Sequence, residues 1–267
     1  MTPFSGRILG AHQKIDRLAR RNLDQIKAHP TFPSSRSIAH FEGNNGPDAI
    51  KRKSPAKDEP WHYFQPFDND DLQLIELIED HYHKLVDALK KKDKVRSAFE
   101  AAWLSHAIVD GLTPAHHYPY EQKLVELSEG QNISERTSIG KKLFIPGDNL
   151  SKKIKNNWKM YGPKGLMSTH ASFELGVAVI IAPSRVMNSV ITQDKIDNFQ
   201  SQPLGSWFRQ IAQDVVRLEI YDDYYRTGWT VPLSRRVRNQ LIPIIVQTVT
   251  LAWYGASLEA TAKKGKK

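Results

Sequence analysis

His106 and Asp110 stand four residues apart in a run that is otherwise nearly all apolar, Ala102-Trp-Leu-Ser-His-Ala-Ile-Val-Asp-Gly-Leu112. On a helix, positions i and i+4 share one face with Cβ atoms about 5–6 Å apart, close enough to pair or to share a cation. Pro114 then interrupts the helix and re-aims the chain, so that His116 can face a second ion. The segment reads as a metal site on a helix that ends abruptly.

His170 and Glu174 repeat the spacing ahead of an apolar stretch running from Leu175 to Ala182. Imidazole nitrogen with carboxylate oxygen is the donor mix of catalytic zinc, where an open position holds water. A single histidine–carboxylate spacing of this kind is more often an ordinary core or surface pair. Two such pairs, with a third histidine linked by proline, shift the balance toward metal. The chain has no cysteine, so disulfides and thiolate ligands are excluded and His, Asp and Glu must do any metal binding.

The pattern H-x3-D-x5-H followed by H-x3-E resembles the zinc-dependent phospholipase C family. That family shares an all-helical, trinuclear-zinc fold with the single-strand nucleases of fungi and plants. Upstream, Gly46-Pro47-Asp48-Ala49-Ile50 is similar to the family's loop aspartate, Trp61-His62-Tyr63-Phe64 to its next histidine, and Gly10-Ala11-His12-Gln13 to its first. The resemblance covers residues 8 to 182 in order. It implies one zinc on His62, His106 and Asp110, with Asp48 beside it as ligand or base, and a second on His116, His170 and Glu174. His12 would hold a third, bridged by Asp110. Family members complete that third site with an N-terminal tryptophan; this chain begins Met1-Thr2-Pro3, so Met1 or water would substitute.

The other histidines read as bystanders. His81 and His83 lie on a polar helical face and are expected to be solvated, and His29 precedes Pro30 at a helix-to-loop transition. His117 and His40 are placed to support ligands from behind, since ligating imidazoles donate their other N–H to a neighbour.

The 267 residues suffice for one domain with a full core, and no linker or repeat divides them. Helical periodicity dominates. Ile15, Leu18, Ala19, Leu23 and Ile26 follow His12; Asp70 or Asp71 caps a helix toward Lys92 with Leu72, Ile75, Leu85, Val86 and Leu89 inward. Residues 95–112 carry the ligands, a short helix lies near 150–160, and residues 166–182, 205–226 and 234–260 complete the bundle. Residues 29–68 read as a long loop carrying Asp48 and His62. Gly130 to Gly165 is mostly polar loop, with a short strand at Leu143–Ile145, and the tail 261–267 is expected to be disordered. The fold class is therefore all-α, a single-domain multi-helix bundle; the resemblance places a trinuclear zinc site at its centre.

No apolar leader precedes the first helix, and Leu241 to Ala256 is too interrupted for the ~20 residues of a membrane span, so it reads as a buried helix and the protein as cytoplasmic. The net charge of +9, with lysines at 90–92, at 152, 153 and 155, and at 263, 264, 266 and 267, favours an anionic partner. Taken singly, each cluster reads as a solvated face. The chemistry implied is zinc-dependent phosphodiester hydrolysis with two or three zinc ions. Phospholipid is favoured over single-stranded nucleic acid, with peripheral membrane contact through the basic surface. Glu174, the Gly-Pro-Asp loop and the lack of cysteines resemble the phospholipase branch, although choline-preferring members carry an aromatic where this chain has Ala49. The alternatives are a nuclease of the same fold and a non-catalytic helical binding protein stabilised by metal.

Overall fold

A computed structural model describes residues 10–26, 30–42, 46–53, 61–128, 138, 144–182 and 189–262. Helices occupy most of them, and no strand occurs among the described residues. In chain order they are α1 (Ala11–Gln25), α2 (Ser35–Glu42), α3 (Pro47–Lys53), α4 (Gln73–Lys90), α5 (Lys94–Gly111), a 3₁₀ turn (Pro114–His117) and α6 (Tyr120–Leu127). There follow α7 (Leu150–Tyr161), α8 (Leu166–Ile181), α9 (Gln193–Gln200), α10 (Leu204–Arg217), α11 (Ile220–Thr227) and α12 (Val231–Arg236). A π turn (Val237–Leu241) leads into α13 (Ile242–Thr261).

The element around which the others are arranged is α5. Its low amphipathicity is explained by burial around most of its circumference, against α4, α2, α13 and α1. Asp93 starts it by accepting a hydrogen bond from the Arg96 N–H at 2.9 Å, the usual aspartate N-cap. Lys92, left-handed at φ 57°, makes the tight turn from α4. A helix buried on nearly all sides takes its polar residues inside with it. Glu100, Ser105, His106 and Asp110 are all buried, so each needs a partner from a neighbouring helix. At the C-terminal end Gly111 permits the closest approach; a Cβ there would stand 2.5 Å from Leu74 Cδ2 and 2.6 Å from Phe208 Cζ.

The run from Val231 to Thr261 is long and apolar enough to cross a bilayer by length and composition, but 83% of its most apolar window is buried inside the protein. The Trp253 indole N–H donates to the Ala101 carbonyl at 3.0 Å, pinning α13 to α5. On the other side, Phe173 of α8 is fully buried among Tyr221, Tyr224 and Trp229, with ring centroids 5.1, 5.2 and 5.4 Å away. This cluster fixes the rotation of the helix that carries His170 and Glu174.

Several sequence expectations need correction. The supposed loop 29–68 contains α2 and α3. The expected helix 205–226 is two, broken at Glu219, whose backbone is left-handed at φ 50°, and α9 was not foreseen. Leu72 is not inward but 46% exposed, because it precedes the first turn of α4. Asp71 is not a cap; its carboxylate accepts from the Gln65 N–H at 2.8 Å. His81 is not solvated: it is buried where α4 meets α5, and its Nδ1 lies 2.6 Å from Glu100 Oε2. Phe144 and Ile145 form no strand, while Leu143, His29, Met1 and the tail beyond Ala262 lie outside the described residues.

Candidate metal centre

Pro114 opens the 3₁₀ turn that redirects the chain leaving α5, and the His116 N–H donates to the Thr113 carbonyl at 2.8 Å. The turn is braced from outside. The Phe64 N–H donates to the His116 carbonyl at 3.2 Å, and His116 Nδ1 lies 2.9 Å from the His62 carbonyl oxygen, to which it donates. With Nδ1 engaged in this way, His116 presents Nε2 as its ligand atom.

Two groups of three side chains form, each with its ligand atoms all within 4.8 Å of one another: His12, His106 and Asp110, and His116, His170 and Glu174. In the first, His106 Nε2 lies 3.1 Å from Asp110 Oδ2 and His12 Nε2 lies 3.4 Å from Asp110 Oδ1, so the carboxylate faces two imidazoles with different oxygens. The two rings stack at 4.3 Å. Behind them His106 Nδ1 donates to Glu42 Oε1 at 2.7 Å, a carboxylate that fixes the ring and makes it more basic. In the second group Glu174 Oε1 lies 2.9 Å from His116 Nε2 and 3.0 Å from His170 Nε2. Those two rings also stack, at 4.9 Å and 12°. The groups meet at Asp110, whose Oδ1 is 3.8 Å from His116 Nδ1.

The electrostatics are those of a site that attracts positive charge. Burial alone would lower the His106 pKa, but the charges and hydrogen bonds of Asp110 and Glu42 outweigh it and hold it well above the usual imidazole range. Burial would raise Asp110 and Glu174. Instead His106, His116 and His12 hold Asp110 well below the carboxylate range, and hydrogen bonds from His116 and His170 do the same for Glu174. Burial, with the charge on Glu42, raises Asp16 well above the usual range. Asp16 Oδ1 accepts from the Ser105 hydroxyl.

The donor set fits zinc. For Zn–N and Zn–O bonds of about 2.0–2.1 Å, a tetrahedron has edges of about 3.3 Å, and the neighbouring donors here are 2.9–3.4 Å apart. Two Nε2 atoms converging on one carboxylate oxygen is an arrangement that a shared cation satisfies better than protons. Near the first group Glu42 Oε2, Asp16 Oδ2 and His12 Nδ1 are buried without a hydrogen-bond partner, although His12 Nδ1 is 3.5 Å from Glu42 Oε1. Such orphaned polar atoms are costly without a cation or water nearby.

Six of the eight ligands read from the sequence are thus brought together. The other two are members of neither group. His62 is buried, with its ring 5.5 Å from that of His116, and belongs to neither three-donor group. His12 takes its place in the first. Asp48 is exposed in the first turn of α3. No third group of three donors occurs among the described residues. His117 does not face a ligand; its Nε2 donates to the Gly111 carbonyl at 2.8 Å, and burial lowers its pKa to about 4. His40 is exposed, its ring edge-on to Phe41.

Sequence reasoning missed Glu42 and Asp16. Asp16 carried a signal, since His12 and Asp16 repeat the spacing of His106 and Asp110. Glu42 had none, being 64 residues from the ring it holds. Comparison of the chain with family models, curated proteins and solved structures returns no match.

Proposed function

We propose that this chain is a zinc-dependent phosphodiester hydrolase that cleaves phospholipid in the manner of a phospholipase C, on the glycerol side of the phosphate. The observation that carries the reading is the pair of three-donor groups joined at Asp110, because two adjacent cation sites suit a phosphate with attacking and leaving oxygens. His12, His106 and Asp110 would hold one zinc and His116, His170 and Glu174 the other. When bound, zinc supplies Lewis acidity toward phosphate oxygens and lowers the pKa of coordinated water to about 7.

The protein's own part is positioning and proton handling. Glu42 and the His62 carbonyl hold the two central imidazoles in the tautomer and orientation that ligation needs. Glu174, whose side chain is 46% exposed, forms the open edge by which a diester enters. Asp48 is assigned the role of accepting the proton of the attacking water.

A second reading, a single-strand nuclease, is favoured by one feature. A cavity is lined by Tyr118, Tyr221 and Tyr225 together with Lys123, Lys159 and Lys164, with Glu126 paired to Lys123 at its wall. Aromatic faces with lysines are how nucleobases and their phosphates are held without sequence preference. Zinc-loaded protein assayed on bis(p-nitrophenyl) phosphate, then on phospholipid vesicles and single-stranded DNA, separates the readings. Turnover of the generic diester and of lipid is expected. Turnover of DNA alone would make it a nuclease, and bound zinc without any turnover would make it a metal-stabilised binding protein.

A further inference from the structure

On α7 the residues Leu150, Ile154, Trp158 and Tyr161 recur at intervals of four, four and three. At 100° per residue they fall within an arc of about 80°. All four face solvent, with 73, 62, 68 and 41% of their surface exposed, and Phe144 just ahead of the helix is 70% exposed. Single exposed apolar residues are ordinary, but a stripe of four on one helix is not. The only buried residue of α7 is Met160, which packs with Leu124 and Ile145. Asn157 and Asn156 tie the helix down through the Ile145 and Pro146 carbonyls at 2.8 and 3.0 Å, Asn156 from the side away from the stripe and Asn157 from its margin. The stripe is therefore presented outward on a seated helix.

Charge indicates what covers it. Lys153 and Lys155 flank the stripe and Lys159 lies beyond, and none of the three makes an ion pair among the described residues; Lys152 is paired with Asp148 at 2.5 Å. Twelve residues are too few to cross a bilayer, which takes about 20. Apolar residues including tryptophan and tyrosine on one face, with lysines at its margins, suit a helix lying in the plane of an interface. We infer that α7 docks this protein on an anionic phospholipid surface, its Leu150–Ile154–Trp158 stripe among the acyl chains and Lys153 and Lys155 at the headgroups. A nucleic acid would use the lysines but leave the stripe in water. A second copy of the chain would have to bring equally unpaired lysines against these.

The inference stands independently of zinc chemistry. The test is flotation of the full chain with vesicles of phosphatidylcholine alone and of phosphatidylcholine mixed with phosphatidylserine. Binding to the mixed vesicles is expected, weakening as salt rises. Ile154→Ser with Trp158→Ser should reduce it more than about tenfold, because two large apolar side chains no longer leave water. Lys153→Gln with Lys155→Gln should abolish the preference for phosphatidylserine. Both pairs are exposed, so circular dichroism should match the parent. Absence of vesicle binding by the parent chain, or equal binding by the Ile154→Ser, Trp158→Ser variant, overturns the proposal. So does single-stranded DNA binding that depends on the lysines without vesicle binding, or a dimer that the serine variant disrupts. Bis(p-nitrophenyl) phosphate turnover is expected to be unchanged in the serine variant, so docking and hydrolysis can fail separately.

Discussion

The two donor groups use the same residue types and differ in what surrounds them. His12, His106 and Asp110 come from two helices of the core, with Glu42 behind His106 and Asp16 buried close by. His116, His170 and Glu174 come from a 3₁₀ turn and from α8, braced by a main-chain carbonyl, and the Glu174 side chain is nearly half exposed against 7% for Asp110. Negative charge concentrated in a buried place raises affinity for a cation; an exposed carboxylate leaves room for exchange and for substrate. The first group is thus built to hold, and the second to open.

The largest expected difference comes from removing the carboxylate of each. Asp110→Ala leaves His106 facing Glu42 alone and removes the carboxylate by which the first group approaches the second. It should release more than one zinc, abolish turnover and cost about 3–5 kcal/mol of stability, as breaking a buried charged pair does. Glu174→Ala should release a single ion. Elemental analysis after gel filtration in metal-free buffer gives both counts. Equal, one-ion losses would show that Asp110 serves one ion only and that the groups are independent.

Asp48 belongs to neither group, which makes it the best separator of holding from chemistry. Asp48→Asn should keep the zinc content and lose about 10²–10⁴-fold in kcat if it handles the water's proton. Full activity would leave it without a chemical role. Loss of an ion with activity would make it a ligand instead.

What could be read from the sequence follows from how local the physics is. His106 with Asp110, and His170 with Glu174, are one helical turn apart, so spacing alone placed them together. The proline-linked His116 was legible because a proline forces a change of direction. His62 could not be assigned from spacing, because which group it approaches depends on how residues 61–64 lie against the 3₁₀ turn. The break at Glu219 was hidden because no glycine or proline marks it, and it is set by tertiary contacts such as Arg236 to the Leu218 carbonyl. Burial of His81 was hidden for a similar reason. Its neighbours in sequence are polar, and only the approach of α5 shows that it faces inward.

Glu42, the contact that no local pattern announced, gives the next prediction. It has a counterpart in the second group only as a main-chain carbonyl, which no side-chain substitution removes. Glu42→Gln keeps the shape and weakens the acceptor for His106 Nδ1. Zinc affinity at the first group should fall about 10–100-fold, the usual effect of losing a carboxylate behind a ligating histidine. Competition with a chromophoric chelator would measure it. The ion on His116, His170 and Glu174 should be retained, and if both ions weaken together the braces are not local to their groups.

The smallest effect concerns a buried histidine–carboxylate pair outside the two groups. His81 Nδ1 and Glu100 Oε2 are 2.6 Å apart and buried, as close as any donor and acceptor in the two groups. Among the described residues no third ligand converges on them. The other oxygen of Glu100 is met by Arg96, whose own side chain is half exposed. The arginine supplies a permanent positive charge beside the Glu100 carboxylate. His81→Leu should therefore leave zinc content and turnover unchanged. It should cost about 1–3 kcal/mol, the usual penalty for leaving a buried acceptor short of a partner. Thermal unfolding followed with the metal content of the same sample reads both. If the variant loses zinc, the pair is coupled to the donor groups through α5, and the division between structural and metal-binding histidine–carboxylate pairs does not hold.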